Sequence, residues 1–156
     1  MLSTTGTRRR AAAAALCVGL TLGLTVAGPA ADQASAATEA ERKVVRLINR
    51  SRRNHGLTAL RLSWKLTRAA HRHSARMARN GSTYHSCLQC LMNNSGVSWR
   101  WAGENVGAGS ALRWIHRAMM RSAVHRANIL KAAARRIGAG VVWRSGRYWV
   151  TEIFYY

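Results

Sequence analysis

The apolar residues of this chain change period once, and that change bounds the fold. From Thr38 to Gly81 they recur at helical spacing, with Val44, Leu47 and Ile48 in one run and Leu66, Ala69, Ala70, His73 and Met77 in the next. From Ile137 to Trp143 and from Tyr148 to Phe154 the residues read instead as two β-strands around Arg144-Ser145-Gly146-Arg147. Thr38 is placed to cap the first helix, with Glu39 and Glu41 in its first turn, where the helix dipole favours acids. Asn54-His55-Gly56 closes that helix, Ser63 caps the second, and Gly81 ends it. Leu57, Leu60 and Leu62 tack the connector to the core. A short helix over Cys87–Met92, a turn at Asn93-Asn94-Ser95-Gly96, a strand near Trp101–Val106 and a helix near Ala111–Met120 complete the reading. Ser122 then restarts a turn that carries His125. The expected class is α+β: one domain with helices on either side of a small antiparallel sheet.

Residues 1–36 do not fit that domain. Arg8-Arg9-Arg10 precedes an apolar run from Ala11 to Ala27, and Ala34-Ser35-Ala36 is a small-x-small cleavage site. This is the grammar of a secretory signal peptide, and the run is short for a membrane span. Leu16 is too large for the residue before a lipidated cysteine, so Cys17 reads as part of the apolar run. Residues 37–156 form the expected mature domain, monomeric and extracellular. With three Arg and one Asp removed from 25 cations and 5 anions, it keeps 22 against 4, a net charge of +18. Such a surface attracts polyanions: anionic cell-surface polymers, lipid head groups or, non-specifically, nucleic acid. Arg68, Arg72, Arg76 and Arg79 recur along one helical face as a basic stripe. Arg50, Arg52 and Arg53 also read as polar-face residues. A solvated basic face arising from a codon-biased genome explains the same pattern. Trp99 and Trp101 are candidates for surface stacking, whereas Trp64, Trp143 and Trp149 read as core.

Outside the cytoplasm, Cys87 and Cys90 more often pair as a disulfide than serve redox chemistry. A zinc pair with a nearby histidine, or free thiols, are the alternatives.

Three short pieces carry the chemistry: Tyr84-His85-Ser86, then Gly103-Glu104-Asn105-Val106-Gly107, then His125-Arg126-Ala127-Asn128-Ile129-Leu130. In this order and spacing they resemble the CAP superfamily of cysteine-rich secretory proteins, antigen 5 and pathogenesis-related class 1 proteins. Asn49, Arg52 and Gly56 match the family's N-x-x-R-x-x-x-G pattern in the opening helix. The compressed Ser122–Arg126 segment is the form typical of bacterial members. The resemblance implies an α-β-α sandwich whose central cavity is lined by two His and two Glu. His85, Glu104 and His125 fall on three of those positions. The fourth departs from the pattern, because Trp114–Arg121 contains no acid; His116 is a substitute that nothing in the pattern requires.

Two imidazoles and a carboxylate suit a borderline cation such as zinc, with a place left for water. The resemblance better supports a secreted binding module for a lipid, a cell-surface polymer or a cation. A metal-assisted hydrolase using His85, Glu104 and His125 is one alternative, although H-E-x-x-H and G-x-S-x-G are both absent. A cationic polyanion- or membrane-surface-binding protein is the other. Each residue also has a structural reading: His85 capping a helix, Glu104 accepting backbone N–H bonds in a glycine turn, His125 bonding a strand carbonyl. His55, His71 and His73 read as surface or core-edge residues.

Overall fold

The structure is a computed structural model that describes Met1 and residues 38–156. Apart from Met1, the expected signal peptide lies outside the described residues. The elements run α1 (Glu39–Asn54), β1 (Arg61–Leu62), α2 (Trp64–Asn80), α3 (Leu88–Asn93), β2 (Ala102–Gly109), α4 (Leu112–Arg121), α5 (Ala123–Ile129), β3 (Arg136–Arg144) and β4 (Arg147–Tyr155).

Local chemistry sets these boundaries. Thr38 and Glu41 form a reciprocal capping box that starts α1. Gly81 ends α2 in the left-handed conformation. Ser63 occupies the N-cap position of α2 without a capping hydrogen bond; its hydroxyl instead accepts from the Tyr155 hydroxyl. The β3–β4 hairpin turns on Ser145 and Gly146, both at positive φ, which matches the right-handed twist of the strands.

The sheet order is β1-β3-β4-β2, with β3–β4 and β4–β2 antiparallel. The sheet is not wholly antiparallel as expected. The connector after α1 docks beside the start of β3, Arg61 pairs with Arg136, and β1 therefore runs parallel to β3. Parallel pairing follows because a helical crossover, not a hairpin, separates the two strands.

Alternation along the strands builds two cores. Ile137, Ala139 and Val141 of β3, with Val150 and Phe154 of β4, pack against Val44, Ile48, Leu112, Ile115, Met119 and Ile129 from α1, α4 and α5. On the opposite face, Ile153 and Tyr155 meet Leu66, Ala70 and Met92, and Trp149 meets Met77 and Ala78. The result is the α-β-α sandwich, with α1, α4 and α5 on one side and α2 and α3 on the other. Helix α2 lies so close to β3 that a Cβ at Gly140 would sit 2.1 Å from the Ala70 carbonyl carbon.

Three expectations need correction. Arg52 is fully buried, not on a polar face. It donates to the carbonyls of Thr58, Ile129, Lys131 and Ala134, and so ties α1 to the loop before β3. Trp64 and Trp143 are 48% and 56% exposed, because each sits at an element end beyond the core; Trp149 alone of the three is buried. His73 is wholly buried, not at the core edge, because its ring is enclosed between α2 and the segment that follows it.

Candidate functional site

The site forms around β2, an edge strand. Glu104 and Asn105 are consecutive, so their side chains leave opposite faces of the sheet. Glu104 therefore lies not in a glycine turn, as one reading of the sequence had it, but within a paired strand opposite Ile153.

On the α2/α3 side, Glu104 Oε2 accepts from His85 Nδ1 at 2.8 Å and from the Ser86 N–H at 2.9 Å. The carboxylate side chain is 2% exposed, whereas that of His85 is 60% exposed. Buried His73 fixes the segment bearing His85. Its Nε2 donates to the Tyr84 carbonyl at 2.8 Å, its Nδ1 accepts from Arg76 at 3.2 Å, and its ring meets the Tyr84 ring edge-on. His85 thus does not cap α2; it is presented to Glu104. With Nδ1 committed, His85 keeps Nε2 for a ligand. Glu104 Oε1 is buried and has no hydrogen-bond partner among the described residues.

On the other side, Asn105 Nδ2 donates to the His125 carbonyl and to Glu152 Oε2, both at 3.1 Å. Asn128 Nδ2 donates to Asn105 Oδ1 at 2.9 Å and to the Glu104 carbonyl at 3.2 Å. These bonds clamp α5 onto β2 and bring His125 to the sheet edge. Gly103 permits the close approach, since a Cβ there would lie 2.6 Å from Asn128 Oδ1. Burial, and then the neighbouring His85, hold the His125 pKa below the usual histidine range. The two imidazoles therefore feel each other electrostatically. Burial drives Glu152 up to about 7, against a partly compensating hydrogen bond from Asn105.

The structure brings His85 and Glu104 into direct contact, while His125 makes no hydrogen bond or ion pair with either of them among the described residues. It does not bring His116 there. That ring hydrogen-bonds Ser51 Oγ at 2.8 Å and so joins α4 to α1. Cys87 and Cys90 are bonded to each other at the start of α3. Arg68, Arg72, Arg76 and Arg79 all lie exposed on α2. Sequence reasoning passed over His73, Asn105, Asn128 and Glu152. Asn105 and Asn128 sit inside the quoted motifs, and Glu152 was visible as an acid within an apolar strand.

Residues 45–154 match the family model for CAP, the cysteine-rich secretory protein family. The chain belongs to the CAP family. It is 34% identical over 119 residues to the uncharacterized protein YkwD of Bacillus subtilis (strain 168), covering 72% of this chain and 46% of YkwD. The chain thus spans about half the length of that relative. An extracellular SCP-domain protein of Bacillus anthracis is similar in structure, at 25% identity and TM-score 0.66, over 74% of this chain and 39% of that one. An outer surface protein of Borrelia burgdorferi, at 16% identity and TM-score 0.67, shares the fold over 77% of this chain and 95% of its own.

Zinc occurs with this fold in a structure of NaASP2, at 12% identity and TM-score 0.56, over 77% of this chain and 80% of that one. The CAP domain here fits such a cation only in part. The unpartnered Glu104 Oε1 and the His85 ring favour one. Among the described residues, however, no three His, Cys, Asp or Glu side chains are grouped to hold a metal ion. As arranged, Glu104 Oε2 orients the His85 imidazole.

Proposed function

We propose that this protein is a secreted CAP domain that captures a small extracellular ligand at the His85–Glu104–His125 site. The observation carrying this reading is the split environment of one carboxylate. Oε2 is satisfied twice, while Oε1 is buried without a donor. An unsatisfied buried acceptor costs about 1–3 kcal/mol, and this one lies next to the exposed His85 ring. A ligand's hydroxyl or amine, admitted past that ring, offsets the cost. The His85 ring nitrogen that Glu104 leaves free offers a further polar contact. The leader-like residues 1–36 and the extracellular and outer-surface descriptions of similar proteins support an extracellular setting.

One observation favours a cation as that ligand: an imidazole whose Nδ1 is held by a buried carboxylate is oriented as metal-binding histidines are. In this reading His85 and His125 are the ligands and Glu104 supports them.

The test is a titration of the protein with zinc chloride and, separately, with palmitate, following the histidine ring signals by NMR. One probe is expected to shift His85 and His125 together, and Glu104→Gln, folded by circular dichroism, should abolish the response. If neither probe moves these rings, or if Glu104→Gln responds like the wild type, the site reading fails. Metal then has no claim on these residues.

A further inference from the structure

A second feature lies between α2 and α3, beside the segment that carries His85 and Ser86. Two adjoining cavities of about 210 and 240 Å³ run between α2 and α3 and share Ala69, Arg72, Leu91 and Asn94. Together they form one groove. Lys65, Arg68, Arg72 and Arg76 make the α2 wall. Asn94 and Ser95 stand opposite, and Ala69 and Leu91 contribute its apolar lining.

Among the described residues, no acid lines this groove. The acids described after Met1 are committed elsewhere. Glu39 pairs with Arg42 and Arg46, Glu41 with His71, and Glu104 with His85, while Glu152 is buried against Asn105. The groove's cations are largely held in place. Arg68 lies over the Trp64 ring at 4.7 Å, Arg76 donates to His73, and Lys65 donates to the Gly96 carbonyl. Arg72, common to both cavities, has no hydrogen bond or ion pair to another described residue. Guanidinium groups fixed in advance bind phosphate at lower entropic cost and can bind it bidentately.

Arg68, Arg72 and Arg76 are each four residues apart, so they recur about every 6 Å along the helix axis. We propose that the groove binds a linear polyol-phosphate polymer of the extracellular surface, with successive phosphates on successive turns of α2. A repeating array of charge matches a repeating ligand better than a single anion. Single-stranded nucleic acid fits less well, because its binding sites offer successive aromatic rings to the bases. Among the described residues that line this groove, none carries an aromatic ring. A lipid surface fits less well too, because the charges line a concavity and do not surround a protruding apolar rim.

The experiment measures affinity for a synthetic glycerol-phosphate hexamer over a salt series, using the whole protein. The groove variant is Arg68→Gln with Arg72→Gln. The control is Arg113→Gln with Arg117→Gln, which removes the same charge from exposed α4 beside Trp114. Four phosphate contacts predict a slope of roughly −3 for log K against log salt. The groove variant should bind about tenfold more weakly, with the slope reduced to roughly −1.5, while the control stays within about twofold of wild type. Circular dichroism confirms that both are folded. Equal losses in the two variants would mean that net charge alone attracts the polymer and would overturn the proposal. So would an absence of wild-type binding at low salt. A thymidylate hexamer or phosphatidylglycerol vesicles binding as tightly as the polymer would overturn the assignment of the ligand.

Discussion

At the scale of single residues, two titrating groups flank β2 and report on the site without any ligand. His125 is held low first by burial and then by His85. Its NMR titration midpoint should therefore lie below 6.5, and His85→Ala should move it upward but not all the way, because burial persists. A midpoint unchanged by His85→Ala would show that the two rings do not interact. Glu152 behaves in the opposite sense to most carboxylates. Its folded pKa of about 7 stands above the value of 4.5 expected for the free residue, so the folded state holds the proton more tightly. The associated stability is present in full below about 4.5 and is lost as pH rises through about 7, a loss on the order of 3 kcal/mol. Glu152→Gln keeps an acceptor for Asn105 and cannot ionise. Urea unfolding at about pH 5 and about pH 8 should show a smaller pH-dependent decline in the variant than in wild type. An equal decline in both would place the pH dependence elsewhere, with His71, whose pKa is raised by its hydrogen bond to Glu41, as the next group to test.

At the scale of elements, the contacts that set the architecture are polar ties and close backbone approaches as much as apolar stripes. Gly140 shows the second kind. Its missing side chain lets α2 rest on β3, and the atoms a Cβ would meet are backbone atoms of Ala70 and His71 at 2.1–2.4 Å. Neither can rotate away, so Gly140→Ala should cost about 3 kcal/mol or more, read as a lowered denaturation midpoint with an unchanged slope. A loss below about 1 kcal/mol would mean that α2 can slide outward freely. The helices, their caps and the hairpin were legible because period and punctuation are local properties. The parallel β1 was not, since two residues carry no period and their pairing depends on where a crossover returns the chain. The burial of Arg52 was likewise hidden from charge alone. The Thr58 carbonyl and three carbonyls from the distant 129–134 segment converge on it, and only the resemblance of Asn49, Arg52 and Gly56 to a family pattern marked it as special. The site was legible in the same partial way. The motifs named His85, Glu104 and His125, but His73, which holds the Tyr84 carbonyl, looked like an ordinary stripe residue.

At the scale of the whole molecule, the 22 cations and 4 anions of residues 37–156 make a surface that repels itself. The described ion pairs of Glu39 are exposed and contribute little, so almost all of that repulsion is uncompensated. Salt should therefore stabilise this protein, unlike one whose surface charges are balanced. Between about 20 and 200 mM salt the screening length shrinks from well beyond the typical spacing of surface charges to below about 10 Å. A gain of about 1 kcal/mol corresponds to an increase in Tm of roughly 4 °C for a domain of this size. Calorimetric scans over that range, with sodium chloride and with sodium phosphate at matched ionic strength, check the expectation. General screening raises Tm equally in the two salts. Anion binding at the arginine-lined groove adds a further rise in phosphate alone, and that extra rise should disappear in Arg68→Gln with Arg72→Gln while the common part remains. A Tm that falls with salt would mean that attraction dominates the surface, contrary to its composition.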